Sequence, residues 1–571
     1  MATTRPTNDR IILVLITSLG LLGILWGRCV VLQVVDPHHY AATAATQQRS
    51  IQTLRPSRGA IYDRTGRPLA TSIPVPSVFA NARVVIAKQV VAQQLAKVVG
   101  RNAGMVQHRL EQDKGFVWIA RQVTPAAAPA LLTFRKSGID TMEEPKRFYP
   151  QGKTASHILG FTDIDQRGLE GIELLFNGVL RGQHGWRQTL RDAKGDLLLG
   201  PWTTQTLPVE GFNLVLTIDS VVQHVAEETL AWGVKKYHAK GGSVIVMEPF
   251  SGAILAMANE PSFDPNEPGE APAEARRNRT VTDMFEPGSI FKIVTASALL
   301  DEGRIRPDET IFCENGSYAI RGGHVIHDHT PHGTLSFHDV IKFSSNIGTA
   351  KAAQRLTPEE LYHYIQAFGF GRRTGVDVPG EVGGMVNEPA WWSKLSPFII
   401  PFGQEVAVTP MQLAVMTAVV ANGGLRVVPH VVDRIQTAEG RVVRSAAVAE
   451  PVRVLSPQTA ATVQQMLTSV VESGTGQLAN VQGLTVAGKT GTAQKIEPTG
   501  RYSHSRFVAS FVGYGPVPDS TFVIVVNIDE PRPLYFGGVV AAPIFKRIIE
   551  QLTSYWQLER RPAAPVMARL P

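Results

Sequence analysis

Apolar residues dominate the start of the chain without the spacing that marks a half-buried helix or strand. An uncharged run of 17 residues extends from Ile11 to Gly27, and after Arg28 a second apolar stretch continues to Val35. A helix rises about 1.5 Å per residue, so residues 11–35 are long enough to cross a hydrocarbon layer of about 30 Å. The pattern predicts a transmembrane anchor at 11–35.

A cleaved signal peptide is the alternative for this segment. The apolar run is long for the core of a signal peptide, and no small-residue cleavage site follows it directly. We therefore expect the anchor to be retained. Residues 1–10 carry Arg5 and Arg10 against Asp9, which favours a cytoplasmic tail and an extracytoplasmic location for everything after Val35.

Short strand-like and helical stretches alternate after the anchor. They are predicted as a polar stalk at 41–51, a strand at Ala60–Tyr62, a helix at Ala87–Val99 and an apolar-periodic helix from Gly168 toward Leu180. This mixture predicts an α/β domain over residues 36–212, with a boundary near Gly211.

The rest of the chain reads as one larger domain, 213–556, followed by a loose tail at 557–571. A strand is predicted at Asn213–Ile218, and Ser220 is expected to cap a helix from Val221 to Tyr237. Further strands are predicted at Gly242–Met247, Ala253–Met257, Thr485–Gln494, Arg506–Tyr514 and Phe522–Ile528, with a closing helix at Ala542–Tyr555. The fold class is therefore α+β, an antiparallel sheet with helices on both faces and a helical subdomain.

Composition limits the possible functions only weakly. A chain of 571 residues is too long for one hydrophobic core, and its 44% apolar and 18% charged content is ordinary for a folded protein. The net charge of +7 gives no reason to expect nucleic acid as a partner. One of the two cysteines lies in the anchor and the other is Cys313, so cysteine usage does not indicate a redox compartment.

Three short motifs carry the chemistry. They are Ser289-Ile290-Phe291-Lys292, Ser344-Ser345-Asn346 and Lys489-Thr490-Gly491, in that order along the chain. Each is weak alone, but the ordered set is the signature of a serine enzyme that acylates itself on a peptide or β-lactam carbonyl.

The first motif predicts a nucleophile beside its base. Glu286-Pro287-Gly288 breaks the chain, so Ser289 is expected at a helix N-terminus, where developing negative charge is favoured. Lys292 follows three residues later on the same face. If burial lowers its pKa, the amine of Lys292 can accept the proton of Ser289.

The other two motifs predict a proton relay and a peptide-binding strand. Ser344 can pass a proton to a nitrogen, and Asn346 can bond both the lysine and a substrate amide. Gly491 lets a ligand backbone approach the strand. Lys489, Thr490 and Thr492 are expected to bind a terminal carboxylate, and the backbone N–H groups near Thr492 and Ser289 are expected to form an oxyanion hole.

Two segments also allow other interpretations, a nucleotide-binding loop and a zinc site. The stretch Gly483–Thr490 matches a nucleotide-binding loop, but strand-forming residues precede Lys489 where a flexible loop is needed. A zinc site is suggested by Cys313 and a His-rich stretch, but the spacing fits no standard finger. The stretch contains His324, His327, Asp328, His329 and His332. We therefore predict no metal and no cofactor.

Beyond the three motifs, the chain resembles the class B penicillin-binding proteins, the monofunctional D,D-transpeptidases of peptidoglycan synthesis. The resemblance extends from the anchor to about residue 555. The additional matching segments are Arg58-Gly59-x-Ile61-x-Asp63-Arg64-x-Gly66, Gly168-x-Glu170-Gly171-x-Glu173, Leu216-Thr217-Ile218-Asp219 and Phe402-Gly403-Gln404.

The resemblance implies a role for each motif residue and for the domains. Ser289 is the acyl-accepting nucleophile, Lys292 its base, and Ser344 and Asn346 complete the proton relay. The carboxylate and the oxyanion are held by Lys489, Thr490 and Thr492 beside Gly491. Residues 36–212 are similar to the family's pedestal, a dimerisation-type domain, and 213–556 to its transpeptidase domain.

Within that family the chain is similar to the division, or septal, type. The segments that carry this similarity are Arg501-Tyr502, Tyr535-Phe536-Gly537-Gly538 and Ala542-Pro543-Ile544-Phe545. The implied partners are peptidoglycan stem peptides, β-lactams, a membrane-embedded glycan polymerase and other division proteins. The implied location is the inner membrane, with a single span and the catalytic domain on the periplasmic side.

Three competing functions stay open at this point. An elongation-type transpeptidase and a β-lactamase or β-lactam sensor would share the catalytic fold. A scaffold that lacks catalysis would use only the pedestal. We predict a serine-type D-Ala–D-Ala transpeptidase that cross-links stem peptides during septal cell-wall synthesis.

Overall fold

The computed structural model describes residues 6–35, 49–191, 197–198, 200, 203–320, 323–446, 449–497 and 499–558. Most of the predicted stalk at 41–51 and of the predicted tail at 557–571 lies outside these residues, as does the first half of the predicted tail at 1–10.

The strands of the described residues are numbered in chain order. They are β1 Arg49–Leu54, β2 Ile61–Tyr62, β3 Pro68–Ala80, β4 Val117–Ala120, β5 Ile139–Phe148, β6 Gly185–Arg191, β7 Leu197–Leu198, β8 Thr204–Thr206, β9 Asn213–Leu216, β10 Gly241–Met247, β11 Ile254–Glu260, β12 Thr310–Phe312, β13 Ser317–Ala319, β14 Val325–His327, β15 Thr334–Ser336, β16 Met385–Val386, β17 Val406–Ala407, β18 Leu425–Arg426, β19 Val432–Gln436, β20 Val442–Ser445, β21 Val452–Arg453, β22 Ala487–Ile496, β23 Tyr502–Gly515 and β24 Phe522–Asp529.

The α-helices longer than one turn are numbered in the same way. They are α1 Pro6–Val30, α2 Lys88–Val99, α3 Ala103–Leu110, α4 Gly171–Leu175, α5 Ser220–Lys236, α6 Lys292–Asp301, α7 Phe337–Lys342, α8 Asn346–Ala353, α9 Pro358–Ala367, α10 Pro410–Ala421, α11 Pro457–Ser473 and α12 Gly537–Leu552. One-turn α-helices are Ala128–Leu131, Ser156–Leu159, Asn177–Leu180, Ala273–Arg276, Arg279–Thr282 and Ser396–Ile399.

The chain divides into two compact units. The first comprises the described residues up to Ser57 and those between Gly182 and Glu210. It contains α1, which continues as a π-helix at Val31–Val35, and an antiparallel sheet in which β1 and β8 both pair with β6. The helical segment Asn8–Val35 is long and apolar enough to cross a membrane, as the hydropathy pattern predicts.

The second unit is built around a five-stranded antiparallel sheet with the order β11-β10-β24-β23-β22. Successive side chains of a strand point to opposite faces. Accordingly Val244 and Val246 pack with α5 and α12 on one face, whereas Ile245 and Met247 pack with α10 on the other. Helices on both faces explain why β10 and β24 are buried along almost their whole length, and the predicted fold class is confirmed.

A second sheet of seven strands lies in the same unit. Its path is β20-β19-β9-β2-β3-β4, and β5 also pairs with β3. The parallel pairing of β2 with β9 joins a strand at residue 61 to one at residue 214. The line between the two units therefore differs from the predicted boundary between residues 212 and 213, which stays a prediction.

Two local predictions were wrong in detail. The N-cap of α5 is Asp219, whose carboxylate accepts hydrogen bonds from the N–H groups of Val221 and Val222. The predicted cap, Ser220, instead donates its hydroxyl proton to Asp63 at 2.6 Å. The helix expected from Gly168 begins only at Gly171 and is interrupted at Phe176, so it forms α4 and a separate turn.

Candidate active site

Ser289 lies in a single 3-10 turn, Gly288–Phe291, that leads directly into α6. The α-helix thus begins only at Lys292, and the predicted N-terminal position of Ser289 is a 3-10 turn that continues into it. Residues three apart in a 3-10 turn lie directly above one another, so Ser289 and Lys292 still share one face. The serine is half-buried, and Lys292 is 0% exposed.

Close backbone contacts explain why a tight turn forms here instead of an α-helix. Gly288 has a φ of 52°, and its N–H donates to the carbonyl of Gly403 at 3.2 Å. A Cβ on Gly403 would lie 2.2 Å from the carbonyl oxygen of Gly288, and a Cβ on Gly288 would lie 3.0 Å from that of Thr492. The turn is therefore held between two backbone segments, and Gly403 is a site residue whose role the motif spacing did not reveal.

The amine of Lys292 is held by the second motif. Its Nζ lies 2.5 Å from the carbonyl oxygen of Ser344, 3.2 Å from Ser344 Oγ and 2.8 Å from Asn346 Oδ1. Burial lowers the pKa of Lys292 to about 7, against a smaller opposing effect of Asp328 and then Cys313. A substantial neutral fraction near neutral pH follows, as a base at this position requires.

The three contacts suit a neutral amine. A neutral amine has two N–H donors and one lone pair, and the carbonyl of Ser344 and Asn346 Oδ1 can only accept. Those two oxygens take the two protons, which leaves the lone pair directed to a hydroxyl. Within the described residues Ser289 and Lys292 share no hydrogen bond, so the hydroxyl that faces the amine here is that of Ser344.

Ser344 lies between α7 and α8, in the loop setting that the sequence predicts. Its φ is 61°, a left-handed backbone conformation that is uncommon for residues other than glycine. Its Oγ lies 3.2 Å from the amine of Lys292 and 2.8 Å from the amine of Lys489. One hydroxyl therefore bridges the first and third motifs.

Lys489 lies within β22 and is 0% exposed. Besides Ser344, its amine contacts the carbonyl of Thr490 at 3.3 Å. Burial, and then the neighbouring charge of Lys292, hold the pKa of Lys489 well below its ordinary value. Two buried amines that share one hydroxyl titrate as a coupled pair, so proton uptake at one disfavours it at the other.

The structure gives a further reason why a glycine is required at position 491. A Cβ at this position would lie 2.9 Å from the side chain of Ile290 and 3.1 Å from the carbonyl oxygen of Pro287. The missing side chain therefore allows the serine turn to approach β22 closely. The expected approach of a ligand backbone to this residue stays a prediction.

The hydroxyls of Thr490 and Thr492 already have partners. Thr490 Oγ1 lies 3.0 Å from Thr475 Oγ1, and Thr492 Oγ1 accepts a hydrogen bond from the N–H of Gly537 at 3.0 Å. In this bond the Thr492 hydroxyl is the acceptor, so its own proton can still be donated to an anionic ligand. Thr475 and Gly537 are further residues of the site for which the motif spacing gave no signal.

The His-rich stretch does not converge on one point. Among the described residues, no group of three His, Cys, Asp or Glu side chains is arranged to hold a metal ion. His329 contacts the ring of Phe536 edge-on at 4.5 Å, and His332 stacks on Phe343 at 5.2 Å. Asp328 instead accepts hydrogen bonds at the start of α8.

The phosphate-loop alternative is also without structural support. Such a loop needs a flexible glycine-rich turn that opens a helix. Gly488 and Lys489 lie inside β22, paired with Gly513 and Val512 of β23. The backbone N–H groups of this segment serve the sheet and do not form a cradle for phosphate.

Comparisons with known proteins agree with this geometry. Residues 242–550 match the family model of the penicillin binding protein transpeptidase domain, and residues 53–216 match that of the penicillin-binding protein dimerisation domain. A relative from Neisseria meningitidis serogroup A, "Probable peptidoglycan D,D-transpeptidase PenA", is 34% identical over 95% of this chain and 92% of its own length.

Two further matches cover nearly the whole chain. "Peptidoglycan D,D-transpeptidase FtsI" of Escherichia coli K12 is 33% identical over 92% of this chain and 88% of that protein. The crystal structure of penicillin binding protein 3 from Mycobacterium tuberculosis, complexed with aztreonam, has a TM-score of 0.71 and 29% identity. That likeness covers 90% of this chain and 99% of the other.

Proposed function

The chain belongs to the penicillin-binding protein family, as a class B peptidoglycan D,D-transpeptidase of the FtsI type, and on this premise we propose that it works through an acyl-enzyme on Ser289. The enzyme cross-links peptidoglycan stem peptides in septal cell-wall synthesis and binds β-lactams. The observation that carries the proposed mechanism is the Ser344 hydroxyl, within hydrogen-bond distance of both buried amines.

Acylation begins with attack of Ser289 Oγ on the carbonyl carbon between the two D-alanines of a donor stem. The serine proton passes to neutral Lys292, and the carbonyl electron pair moves onto the oxygen. That oxygen is proposed to be held by the backbone N–H groups of Ser289 and Thr492, and the close approach of Gly288 to the carbonyl of Thr492 supports this.

Release of D-alanine follows through Ser344. The C–N bond breaks, the departing amine takes the proton of Ser344 Oγ, and Lys292 returns its proton to Ser344. An amine of a second stem then attacks the ester, and the same protons move in reverse until Ser289 is restored. One amide replaces another, so the reaction needs no cofactor and no external energy source.

Substrate orientation is assigned to the strand β22. The C-terminal carboxylate of the donor stem is bound by Lys489, Thr490 and Thr492, and Asn346 holds the amide of the peptide. In a β-lactam the nitrogen stays attached after ring opening, so it does not diffuse away and continues to block the acyl-enzyme. The serine is thereby trapped.

The protein is a single-pass membrane protein, and we place its catalytic body on the extracytoplasmic side, where the peptidoglycan is. The helical segment Asn8–Val35 supports the membrane span. A membrane-embedded glycan polymerase is the proposed partner, because cross-linking needs new glycan strands beside the membrane. Residues 36–212 are the proposed contact region for it and for other division proteins.

Covalent labelling tests the mechanism. Full-length protein in detergent is incubated with a fluorescent penicillin, as wild type, as Ser289→Ala and as the control Ser297→Ala. Ser297 lies on α6, and its buried hydroxyl has no hydrogen-bond partner among the described residues, so its removal leaves the site contacts intact. We expect stable labelling of wild type and of the control and none of Ser289→Ala.

Two results would contradict the proposal. Labelling of Ser289→Ala would show another nucleophile. Loss of the label from wild type within minutes would indicate a β-lactam hydrolase. A scaffold function predicts that Ser289→Ala supports septal cross-linking in cells without another copy, whereas the transpeptidase mechanism predicts that it does not.

A further inference from the structure

The hairpin of β13 and β14 ends in Asp328, whose carboxylate lies against the start of α8. Its Oδ1 accepts hydrogen bonds from the backbone N–H groups of Asn346 at 2.6 Å and Ile347 at 3.0 Å. Its Oδ2 accepts one from the hydroxyl of Ser345 at 2.5 Å. A carboxylate here satisfies N–H groups that have no partner within the helix and interacts favourably with the helix dipole.

Asp328 is connected to the catalytic lysine through one residue. The side-chain Nδ2 of Asn346 donates to the carbonyl of His327 at 2.9 Å, and its Oδ1 accepts from Lys292 Nζ at 2.8 Å. The first contact fixes which end of the amide faces the lysine, because only the nitrogen end can donate. Asp328 and the residue before it therefore hold both the backbone and the side chain of Asn346.

We propose that Asp328 is a positioning residue of the transpeptidase, which orients Asn346 toward Lys292 and supplies the negative charge that balances the paired amines. The inference rests on the proposed function, since Asp328 would act on Lys292, the base in the proposed mechanism, through Asn346. It assigns Asp328 no contact with substrate. Its two parts, geometry and charge, are separable by substitution.

The charge around the amine is set by few groups. Asp328 and the thiol of Cys313 favour the protonated form of Lys292, and the buried amine of Lys489 is its cationic neighbour. Asp328 therefore works against burial and keeps the pKa of Lys292 from falling further. Without that charge Lys292 would be neutral at lower pH, and it would also be a weaker base.

The test measures the rate of acylation by a fluorescent penicillin from about pH 5.5 to about pH 9, since this range brackets the titration of the base. Asp328→Asn keeps an oxygen for the N–H groups of Asn346 and Ile347 but removes the charge. We expect the midpoint of its acidic limb to shift to lower pH by about half a unit or more. Asp328→Ala also removes the hydrogen bonds, and we expect its limiting rate to fall by about ten-fold or more.

Asp308→Asn is the matched control, because Asp308 is exposed and forms a surface ion pair with Arg306 at 3.3 Å. Its rate and midpoint should equal those of wild type. A midpoint of Asp328→Asn within about 0.2 units of wild type would overturn the charge role, because an adjacent opposite charge shifts a pKa by more than this. An Asp328→Ala rate within about two-fold of wild type would overturn the positioning role.

Folding and the proposed mechanism are checked separately. Melting curves show whether each variant is folded. If Asp328→Ala is not, Asp328→Asn tests both parts: its midpoint tests the charge role, and a limiting rate about ten-fold or more below wild type would contradict the positioning role, because its oxygen still holds Asn346 and Ile347. Labelling of Ser289→Ala would refute the acyl-enzyme on that serine whatever Asp328 does. If Ser289 is labelled as expected but both Asp328 variants keep the rate and midpoint of wild type, only the role of Asp328 is refuted.

Discussion

At the scale of single residues, the proposed mechanism depends on keeping one buried amine uncharged. Lys292 is fully buried, and its burial lowers its pKa to about 7. A base must be neutral to accept a proton, so acylation should rise with pH through about 7 and level off above it. The rising part of this pH profile reports the titration of Lys292 and Lys489 as a coupled pair, because both amines contact Ser344.

Lys292→Arg tests this protonation argument. A guanidinium stays charged at every accessible pH, so we expect acylation by a fluorescent penicillin to fall by about 10²–10⁴-fold. Lys351→Arg is the control, because the amine of Lys351 bonds Glu314 and the carbonyl of Phe312, and it has no hydrogen bond with the three motifs among the described residues. A rate in wild type that does not change with pH, or an arginine variant that acylates as wild type does, would contradict the role of Lys292.

The glycine at 403 allows a second test at this scale. Gly403 and Gly440 have the same φ of 87°, but a Cβ would meet backbone at 2.2 Å on Gly403 and nothing within 4 Å on Gly440. Alanine at either position carries the same left-handed strain of about 1–2 kcal/mol. Only Gly403→Ala should also displace Gly288 and lower the acylation rate, by about 100-fold, because a small misplacement of reacting groups has effects of this size.

Gly440→Ala should lose stability without losing activity. Melting temperature and acylation rate are measured for both variants. Equal activity of the two would show that the contact between Gly403 and Gly288 does not position Ser289.

The residues of the three motifs were predictable because their chemistry is local. Ser289 and Lys292 are three apart, and any helical turn brings them together. The contacts of Gly491 with Pro287, or of Asp328 with Asn346, were not predictable. They join segments whose separation in space is set by tertiary packing, and no local pattern encodes that distance.

At the scale of elements, hydrophobic spacing predicted all five strands of the β11-β10-β24-β23-β22 sheet and the helices α5 and α12, but it missed their ends. The strands at 242–247 and 522–528 were recognised because both faces are buried, so each contains an apolar run, at 244–247 and 522–526. The cap of α5 was misplaced by one residue. Asp219 and Ser220 are both good caps, and the choice depends on Asp63, which takes the hydroxyl of Ser220.

Helix α5 also carries a titratable contact. Glu227 Oε1 accepts hydrogen bonds from the N–H of Ala155 at 2.9 Å and from Gln223 Nε2 at 2.6 Å. Burial of this carboxyl raises the pKa of Glu227 to about 7. Between about pH 4.5 and pH 7 the folded state therefore holds a proton that the unfolded state has lost, and the free energy of unfolding falls as pH rises.

Glu227→Gln should remove this loss. The amide oxygen of glutamine accepts the same two hydrogen bonds, so the variant should match wild type near pH 4.5 and exceed it by roughly 3 kcal/mol at about pH 8. Thermal unfolding across this range measures the difference. The control is Glu228→Gln, because Glu228 is exposed beside His224. A constant difference between Glu227→Gln and wild type at all pH values would contradict the raised pKa.

At the scale of the whole molecule, the sequence did not predict which strands pair with each other. Period-two burial shows that a segment is a strand, but it does not say which strand lies beside it. The pairing of β2 with β9 places residues 61–62 against 214–215 in one seven-stranded sheet. This long-range pairing is the reason why most of the predicted pedestal falls in the same compact unit as the five-stranded sheet.

That unit also contains a buried ion triad which joins distant parts of the chain. Arg58 Nε donates to Glu173 Oε2 at 2.7 Å, and Arg147 Nε donates to Glu173 Oε1 at 2.6 Å. The side chains of all three are at most 2% exposed. Arg147 also donates to the carbonyl of Gly59 at 2.8 Å, next to the strand β2. One carboxylate thus balances two guanidinium groups and holds the chain near residues 58, 147 and 173 together.

Glu173→Gln should destabilise the fold while leaving the chemistry intact. Removing the only anion of the triad leaves two buried cations facing each other, which costs about 3–5 kcal/mol of unfolding free energy. Glu550→Gln is the matched control, because Glu550 forms an exposed pair with Lys546 at 3.8 Å, and it should change stability by only about 0.3–0.5 kcal/mol. Denaturant unfolding of full-length protein in detergent compares the two. Among the described residues, the side-chain partners of Glu173 are Arg58, Arg147 and Tyr149, and none belongs to the three motifs. Acylation of the folded Glu173→Gln protein should therefore keep the wild-type rate and pH profile. Unchanged stability would instead show that the two arginines need no buried partner.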